Sequence, residues 1–412
     1  MSTIVVGGGA AGAMCAVLCA RSAEPVVLLE KNEKTGKKLF ITGKGRCNLT
    51  ADYPPAEFLS GVVHGEKFLR SAVWSFSPED TKKFFEAEGV PLVTERGNRV
   101  FPASGKSSDI TRALDRALKE SGVRVKLHSE VVKVAKKDGV FTVSLADGRE
   151  FSADRLVVAT GGKSYPSTGS TGDGYAFAES FGHSVVKPVP SLAQLFTRES
   201  VAELQGISLK NVALTAVLAG GGKRYSEFGE MLFTQRGLSG PIALSLSARL
   251  NRTAGAELHL DLKPALSHEK LDARVLRDFS ERQNADLKNV TRALLPERLN
   301  VYVLKRAGLN PSEKVNSVTK EERQRLVNTL KDLTFRFAGV APFEEAVVTA
   351  GGVALGELTP KCESRLIENL YFIGEVIDAD AFTGGYNLQI AFSTAAACAS
   401  DIARKRGEAS RD

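Results

Sequence analysis

The first thirty residues constrain this chain most strongly. A short apolar run, Ile4–Val6, leads into the glycine pattern Gly7–Gly12, which fits G-x-G-x-x-G. An Ala- and Leu-rich stretch follows to Arg21, and a second apolar run ends at Glu30. The apolar runs predict buried parallel strands, and the stretch between them predicts a helix. The N-terminus therefore predicts a βαβ unit with a glycine turn after its first strand.

Each part of this pattern suits nucleotide binding. Gly7 allows a tight turn, Gly9 lets the backbone approach a pyrophosphate, and Gly12 lets the helix pack closely on the strand. The helix N-terminus offers free N–H groups and a positive dipole end to phosphate. Glu30 can accept hydrogen bonds from ribose hydroxyls, and its charge repels a 2′-phosphate. The pattern therefore favours FAD or NAD over NADP.

Composition narrows the class of protein further. The formal charge is +7 over 412 residues, but acidic residues are interspersed along most of the chain, so the charge alone does not indicate nucleic acid. The five cysteines form no C-x-x-C pair and no zinc-like spacing with histidine, which predicts a reduced, cytoplasmic protein without a metal site. We expect no signal peptide, since a basic n-region is missing, and no membrane span.

A basic, glycine-rich segment follows the second strand. Within Gly43–Asn48, the side chains of Lys44, Arg46 and Asn48 can surround a phosphate or a flavin edge with hydrogen-bond donors. The alternative is an ordinary surface turn with solvated lysines. We expect Cys47 to contact the cofactor without forming a covalent bond.

Two further strands end in glycines. The apolar run Arg155–Ala159 is followed by Thr160–Gly162, where small residues let a ligand lie close to the backbone. Near the C-terminus, the run Leu370–Ile373 is followed by Gly374–Glu375 and then by an Ala-rich helix from Ile390. That helix N-terminus can place positive partial charge on the pyrimidine edge of a flavin. One discontinuous FAD domain accounts for both ends of the chain.

The middle of the chain differs from both ends in its predicted secondary structure. Short β segments predominate between Leu204 and Asp261, and Ser267 to Lys331 is helical and charged. A glycine turn over Thr349–Val353 leads back into the first domain. We therefore expect a FAD domain formed by residues 1–190 and 349–412, an inserted β domain at 191–266 and 334–348, and a helical subdomain at 267–333.

Several of these segments resemble the YhiN/BaiN-like flavoproteins, a family that also includes aminoacetone oxidase. The segments are Gly7–Gly12, Lys38–Asn48, Ala159–Gly162, Gly351–Val353 and Gly374–Gln389, and the resemblance covers nearly the whole chain. It implies an α/β fold: a discontinuous Rossmann-like two-dinucleotide-binding FAD domain with an inserted β-barrel-like domain and a helical subdomain. It also implies FAD as the cofactor.

The motifs and the resemblance together give a set of candidate cofactor contacts. They are Gly7, Gly9, Ala10, Ala11, Gly12, Glu30, Lys31, Lys38, Gly43, Arg46, Cys47, Asn48, Val131, Ala159, Thr160, Gly161, Gly162, Gly374, Glu375, Asp380, Asn387 and Leu388. No catalytic residue is assigned, because the sequence shows no Ser/His/Asp set and no carboxylate pair. Among the histidines, His183 at the end of the first FAD segment is the best candidate to lie near the site, although a structural role fits it better.

The sequence leaves three hypotheses for the reaction. The first is a FAD-dependent oxidoreductase that reduces a small organic substrate, with NAD(P)H as a transient donor because no second strand–G-x-G-x-x-G–helix unit is present. The second is an oxygen-dependent amine oxidase, an activity that the resemblance also implies. The third is a flavin-dependent RNA-modifying protein. Acids accompany the cations of Lys270–Arg336 and few aromatic residues lie among them, so we expect no nucleic-acid partner. The oligomeric state is left open.

Overall fold

The computed structural model describes residues 2–220, 222–253 and 255–409. The strands, numbered along the chain, are β1 (Thr3–Val6), β2 (Val26–Leu29), β3 (Thr50–Ala51), β4 (Val62–His64), β5 (Leu92–Glu95), β6 (Arg99–Pro102), β7 (Arg124–Lys126), β8 (Val131–Lys137), β9 (Val140–Leu145), β10 (Glu150–Ala153), β11 (Arg155–Val158), β12 (Val185–Ser191), β13 (Leu195–Thr197), β14 (Ser208–Leu218), β15 (Arg224–Phe233), β16 (Gly237–Ser239), β17 (Ala256–Asp261), β18 (Leu333–Val340), β19 (Val348–Val353), β20 (Leu370–Phe372) and β21 (Asp380–Ala381).

The helices are numbered in the same way. They are α1 (Ala10–Arg21), α2 (Lys37–Gly45), α3 (Pro55–Leu59), α4 (Glu66–Ser75), α5 (Pro78–Ala87), α6 (Ser107–Glu120), α7 (Asp173–Ser180), α8 (Pro241–Leu250), α9 (His268–Glu281), α10 (Leu287–Thr291), α11 (Glu297–Arg306), α12 (Lys320–Lys331) and α13 (Tyr386–Ala409). The chain divides into two units, unit 1 (1–191 and 342–412) and unit 2 (192–341).

A parallel sheet forms the centre of unit 1. Its strand order is β20-β11-β1-β2-β7, and every neighbouring pair is parallel. Alternate residues point to opposite faces, so Val5 and Leu28 join a core with α1 and α13, while Ile4 and Val6 join a second core on the other face. The order is that of a doubly wound Rossmann fold, and its direction reverses between β1 and β11.

Unit 2 is a closed six-stranded barrel with helices. The strand order is β13-β16-β15-β14-β17-β18, and α8 contributes Ile242, Leu246 and Leu250 to its core. That core also includes apolar side chains of α9 to α12, so barrel and helices share one interior. The barrel-like insert and the helical subdomain expected from the sequence are both present, and they form one compact unit.

Two sequence expectations differ from the structure. Unit 2 ends at Ala341, so residues 342–348 lie with unit 1 and not with the barrel. The expected glycine turn at Thr349–Val353 is strand β19, which pairs antiparallel with β12. Glycine is needed there because the neighbouring strand β12 lies very close: a Cβ at Gly351 would lie 2.6 Å from the Lys187 carbonyl oxygen.

Candidate functional site

The parallel sheet brings the candidate residues together at one edge. A candidate residue follows the carboxyl end of each of its five strands. They are Gly7 after β1, Glu30 after β2, Val131 after β7, Ala159 after β11 and Gly374 after β20. In open α/β sheets, ligands bind outside this edge at the point where the strand order reverses. The two strands at that point, β1 and β11, carry the glycine turn and the Ala159–Gly162 segment.

The glycine turn is closed on one side and open on the other. A Cβ at Gly12 would lie 1.9 Å from the Gly7 carbonyl oxygen, and one at Gly7 would lie 2.5 Å from the Ala159 carbonyl oxygen. At Gly9, by contrast, a Cβ would meet no described atom within 4 Å. Helix α1 starts there with no side-chain cap and no acid in its first turn. The N–H groups of Ala10 and Ala11 therefore remain available to an anion.

Glu30 and Lys31 follow β2 and are held by neighbouring groups. The Glu30 carboxylate accepts hydrogen bonds from the Gly8 amide at 2.7 Å and the Asn32 amide at 2.8 Å. Lys31 Nζ lies 2.6 Å from Asp173 Oδ2 and donates to it. Glu30 thus lies beside the glycine turn as expected, whereas the ammonium group of Lys31 is engaged by α7.

Lys38 and Glu375 are distant in sequence but form an ion pair. Lys38 Nζ lies 2.7 Å from Glu375 Oε2 and 2.5 Å from Ser164 Oγ. The other carboxylate oxygen of Glu375 accepts hydrogen bonds from Ser164 Oγ and from the Thr349 amide. This network joins the segments after β11 and β20 with the first turn of α2.

The Gly43–Asn48 segment departs from helical geometry. Gly43 and Lys44 both have φ of 57° within α2, and Cys47 has φ of 56°. Arg46 pairs with Glu95 at 2.5 Å and stacks on a neighbouring phenyl ring, so its guanidinium is already engaged. Burial raises the pKa of the Cys47 thiol to about 12. A thiol that stays protonated is a poor nucleophile, and the contact of Cys47 with the cofactor stays a prediction.

The last candidate segment surrounds the start of α13. The Gly374 amide donates to Thr394 Oγ1, and Asn387 bonds both the amide and the carbonyl group of Ala381. Leu388 follows in the first turn of α13. These contacts fix the turn that precedes the helix. Asp380 is fully buried, and its carboxylate is bonded to His64 and Ser191 within the protein.

Buried polar atoms without a hydrogen-bond partner indicate whether this edge of the parallel sheet suits a dinucleotide. Asn48 Oδ1 and Thr160 Oγ1 are buried, and neither has a hydrogen-bond partner among the residues that the structure describes. Buried polar atoms are rarely left unpaired, so both positions call for a polar ligand. The open space at Gly9 and the uncapped α1 terminus call for an anion. The residues present therefore fit FAD.

The structure also contains a hydrogen-bonded group of His64, Asp380 and Ser191 that the sequence did not predict. His64 Nδ1 lies 2.5 Å from Asp380 Oδ1, and Ser191 Oγ donates to Asp380 Oδ2 at 2.9 Å. The contacts span 316 and 189 residues, so no local spacing could reveal them. The pairing of β4 with β21 creates this group. His183, in contrast, is buried between Glu357 and Ser364, which is a structural position.

Comparison with protein families gives a match over nearly the full length. Residues 1–401 match the family described as HI0933-like protein Rossmann domain. The chain belongs to this family. The match confirms the resemblance drawn from the sequence and places the chain among FAD-dependent oxidoreductases. A Rossmann-type FAD domain in an α/β fold with a barrel is likewise confirmed.

Curated relatives of this HI0933-like chain have two different names. A ribosomal RNA dihydrouridine synthase of Escherichia coli is 33% identical over 97% of both chains. A 3-dehydro-bile acid delta(4,6)-reductase of Clostridium scindens is 31% identical over 95% of this chain and 96% of its own. Among solved structures, the 3-ketosteroid-delta4-(5alpha)-dehydrogenase of Rhodococcus jostii has a similar fold, with a TM-score of 0.52, 17% identity and coverage of 98% and 96%. No helix of the described residues is long and apolar enough to cross a membrane.

Proposed function

We propose that this protein reduces a carbon–carbon double bond next to a carbonyl group, with FAD as the cofactor and a uridine of ribosomal RNA as the substrate. Relatives that align over at least 95% of the chain support this proposal. Dihydrouridine is uridine with its ring C=C bond reduced, and a 3-oxo Δ4,6-reductase acts on conjugated C=C bonds. The two names therefore share one type of reaction.

The candidate site supplies the groups that this reaction needs. In the proposal, the turn at Gly7–Gly12 and the α1 terminus hold the pyrophosphate, and Glu30 accepts from a ribose. The unpaired Asn48 Oδ1 and Thr160 Oγ1 form hydrogen bonds with the cofactor. The N-terminus of α13 faces the flavin pyrimidine. When bound and reduced, FAD supplies a hydride to the substrate. NAD(P)H restores the reduced cofactor as a transient donor, since the chain shows no second dinucleotide motif.

The distribution of charge supports RNA as the substrate. Residues 192–341 contain 23 Lys and Arg against 16 Asp and Glu, so the whole formal charge of +7 falls within unit 2. Unit 1 is formally neutral. The expectation of no nucleic-acid partner rested on the acids that accompany the cations of Lys270–Arg336; over the whole of unit 2 the cations are in excess. A positively charged unit attracts phosphate backbones, and we propose that unit 2 contacts the RNA, in the cytoplasm.

A small unsaturated ketone is the second candidate substrate. The bile-acid reductase among the relatives supports it, and the chemistry at the double bond would be the same. The amine-oxidase hypothesis receives no support from the names of the relatives reported above. Oxygen consumption with peroxide release on aminoacetone would favour that hypothesis over both reductase proposals.

The test uses FAD-loaded protein, NADPH and deproteinised ribosomal RNA prepared without the modification. Nucleosides are then analysed by mass spectrometry. We expect a uridine that is heavier by two hydrogen atoms, formed only when protein, FAD and nicotinamide are all present. Binding should weaken by orders of magnitude when salt rises, because counterions are released from phosphates. Unmodified RNA together with a reduced enone would select the second candidate, and no product from either would refute the reaction class.

A further inference from the structure

His64 and Asp380 form a pair of unequal exposure. The Asp380 side chain has 0% exposed surface, whereas that of His64 is 32% exposed. An ionised carboxylate only accepts hydrogen bonds, so His64 Nδ1 donates its N–H across the 2.5 Å contact. Ser191 Oγ donates to the other carboxylate oxygen at 2.9 Å. The ring is thereby fixed through Nδ1, and its Nε2 has no hydrogen-bond partner among the described residues.

The pair belongs to the segment that precedes α13. Asp380 lies in β21, which pairs with β4, and β4 ends at His64. The next residue, Ala381, is bonded through its amide to Asn387, one of the candidate cofactor contacts. The imidazole is therefore attached, through one strand pair and one hydrogen bond, to the turn that we assign to the flavin edge.

The other histidines of the chain do not share this arrangement. His183 is buried and bonded at both ring nitrogens. His259 bonds Asp332 at 2.8 Å, but the Asp332 side chain is 53% exposed, so the carboxylate that orients this ring is not buried. His128 and His268 are exposed. Only His64 combines a buried orienting carboxylate with an accessible second nitrogen, which is the arrangement of a general acid or base.

We propose that His64 is the acid that protonates the substrate carbon next to the carbonyl group, and that Asp380 and Ser191 are its positioning residues. This inference rests on the proposed reduction. The far carbon of the double bond receives the hydride, and the near carbon receives the Nε2 proton of a His64 ring that is protonated on both nitrogens, which leaves the neutral ring with its proton on Nδ1. One C=C π bond is lost and two C–H bonds form. The substrate gains two electrons from the reduced flavin, and the imidazole recovers its proton from water.

The test compares His64→Asn with wild type. The Asn amide can donate to Asp380 as Nδ1 does, so the fold is kept while Nε2 is removed. His259→Asn is the matched control, since it makes the same change in a His–Asp pair whose carboxylate is exposed. FAD-loaded protein is reduced without oxygen and mixed either with 2-cyclohexen-1-one or unmodified ribosomal RNA, or with ferricyanide, which accepts electrons without a proton on carbon.

We expect His64→Asn to slow reoxidation by the unsaturated acceptors about 100-fold while leaving ferricyanide reoxidation and FAD affinity unchanged. His259→Asn should match wild type throughout. Asp380→Asn should slow the same reactions, and long-range ¹H–¹⁵N NMR of the imidazole should show that it loses the Nδ1–H form present in wild type.

The outcomes separate this inference from the proposed function. If wild type reoxidises with the enone or the RNA and His64→Asn does so equally fast, His64 is not the acid and only this inference falls. If His64→Asn slows ferricyanide as well, the role is structural and the inference also falls. If wild type reacts with neither unsaturated acceptor, the proposed reduction fails and the inference fails with it.

Discussion

At the scale of single residues, Gly9 and Gly12 belong to one motif but differ in what surrounds them. A methyl group at Gly12 would overlap the Gly7 carbonyl oxygen, whereas one at Gly9 would enter open space. We predict that Gly12→Ala destabilises the protein without cofactor by about 3 kcal/mol or more. Gly9→Ala should leave that stability unchanged and weaken FAD binding by about 1–3 kcal/mol, or about fivefold to 150-fold.

Thermal unfolding of the FAD-free variants and flavin fluorescence titration measure the two effects separately. Equal FAD affinity of Gly9→Ala and wild type would show that no phosphate lies against this turn. The two glycines illustrate how a motif is read from sequence: the positions are visible, but the reason for each glycine appears only in its neighbours.

The buried thiols lead to a prediction about pH. Burial raises the pKa of Cys47 and Cys362 from 9.0 to about 12, and that of Cys398 to about 11. Above pH 9 the thiols of the unfolded chain ionise while the folded thiols stay protonated, so unfolding is favoured. Their contribution to stability is therefore complete below pH 9 and is lost as pH rises towards about 12.

Urea unfolding at about pH 8 and about pH 11 measures this loss. Cys47→Ala should lose less free energy of unfolding between the two pH values than wild type does. An equal loss in both proteins would contradict the assignment of Cys47 as a thiol that stays protonated in the folded state.

At the scale of elements, the orientation of α13 depends on one buried amide. Gln389 is fully buried; its Oε1 accepts from Thr50 at 2.7 Å and Thr81 at 2.8 Å, and its Nε2 donates to Phe76 O and Ser393 Oγ. This network ties the helix to β3 and α5. Gln389→Leu leaves two buried hydroxyl groups unpaired and should cost about 2–4 kcal/mol.

Urea unfolding measures this cost, with the exposed Gln283→Leu as a control that should change stability by less than about 0.5 kcal/mol. If Gln389→Leu proved as stable as the control, the buried hydroxyls would have to find other partners, and the network would not position the helix.

The sequence predicted elements best where local signals suffice. Strands β1, β2, β11 and β20 are apolar runs that end in glycine or an acid, so both their position and their role as a ligand edge could be predicted. For β19 the sequence predicts a turn, because glycines that make room for a neighbouring strand look the same in sequence as glycines that form a turn. The pairing of Arg46 with Glu95 and of His64 with Asp380 depends on strand register, which local patterns do not give.

At the scale of the whole molecule, unit 2 is a continuous insertion with its own core. Its ends are adjacent: Leu195 pairs with Val340, and the Ala341 amide donates to the Gln194 carbonyl group. In unit 1, the strands that precede and follow the insertion, β12 and β19, pair with each other, with Ser191 opposite Val348. A short Gly/Ser linker should therefore replace residues 192–341 without disturbing the parallel sheet.

We predict that the shortened protein folds, binds FAD and loses affinity for RNA, since the excess positive charge is removed. Circular dichroism, flavin fluorescence and an RNA gel shift measure these three properties. A folded protein without FAD binding would show that the cofactor needs residues of unit 2, and retained RNA affinity would contradict the assignment of the RNA contact to that unit.

The measurement that tests the central claim most directly is a single turnover without oxygen. FAD-loaded protein is reduced with NADPH until the flavin band bleaches, and unmodified ribosomal RNA is then added. We expect the band to return without oxygen and one dihydrouridine to form for each flavin reoxidised. A flavin that stays bleached with RNA and with an enone, and recovers only when air is admitted, would contradict the proposed reduction.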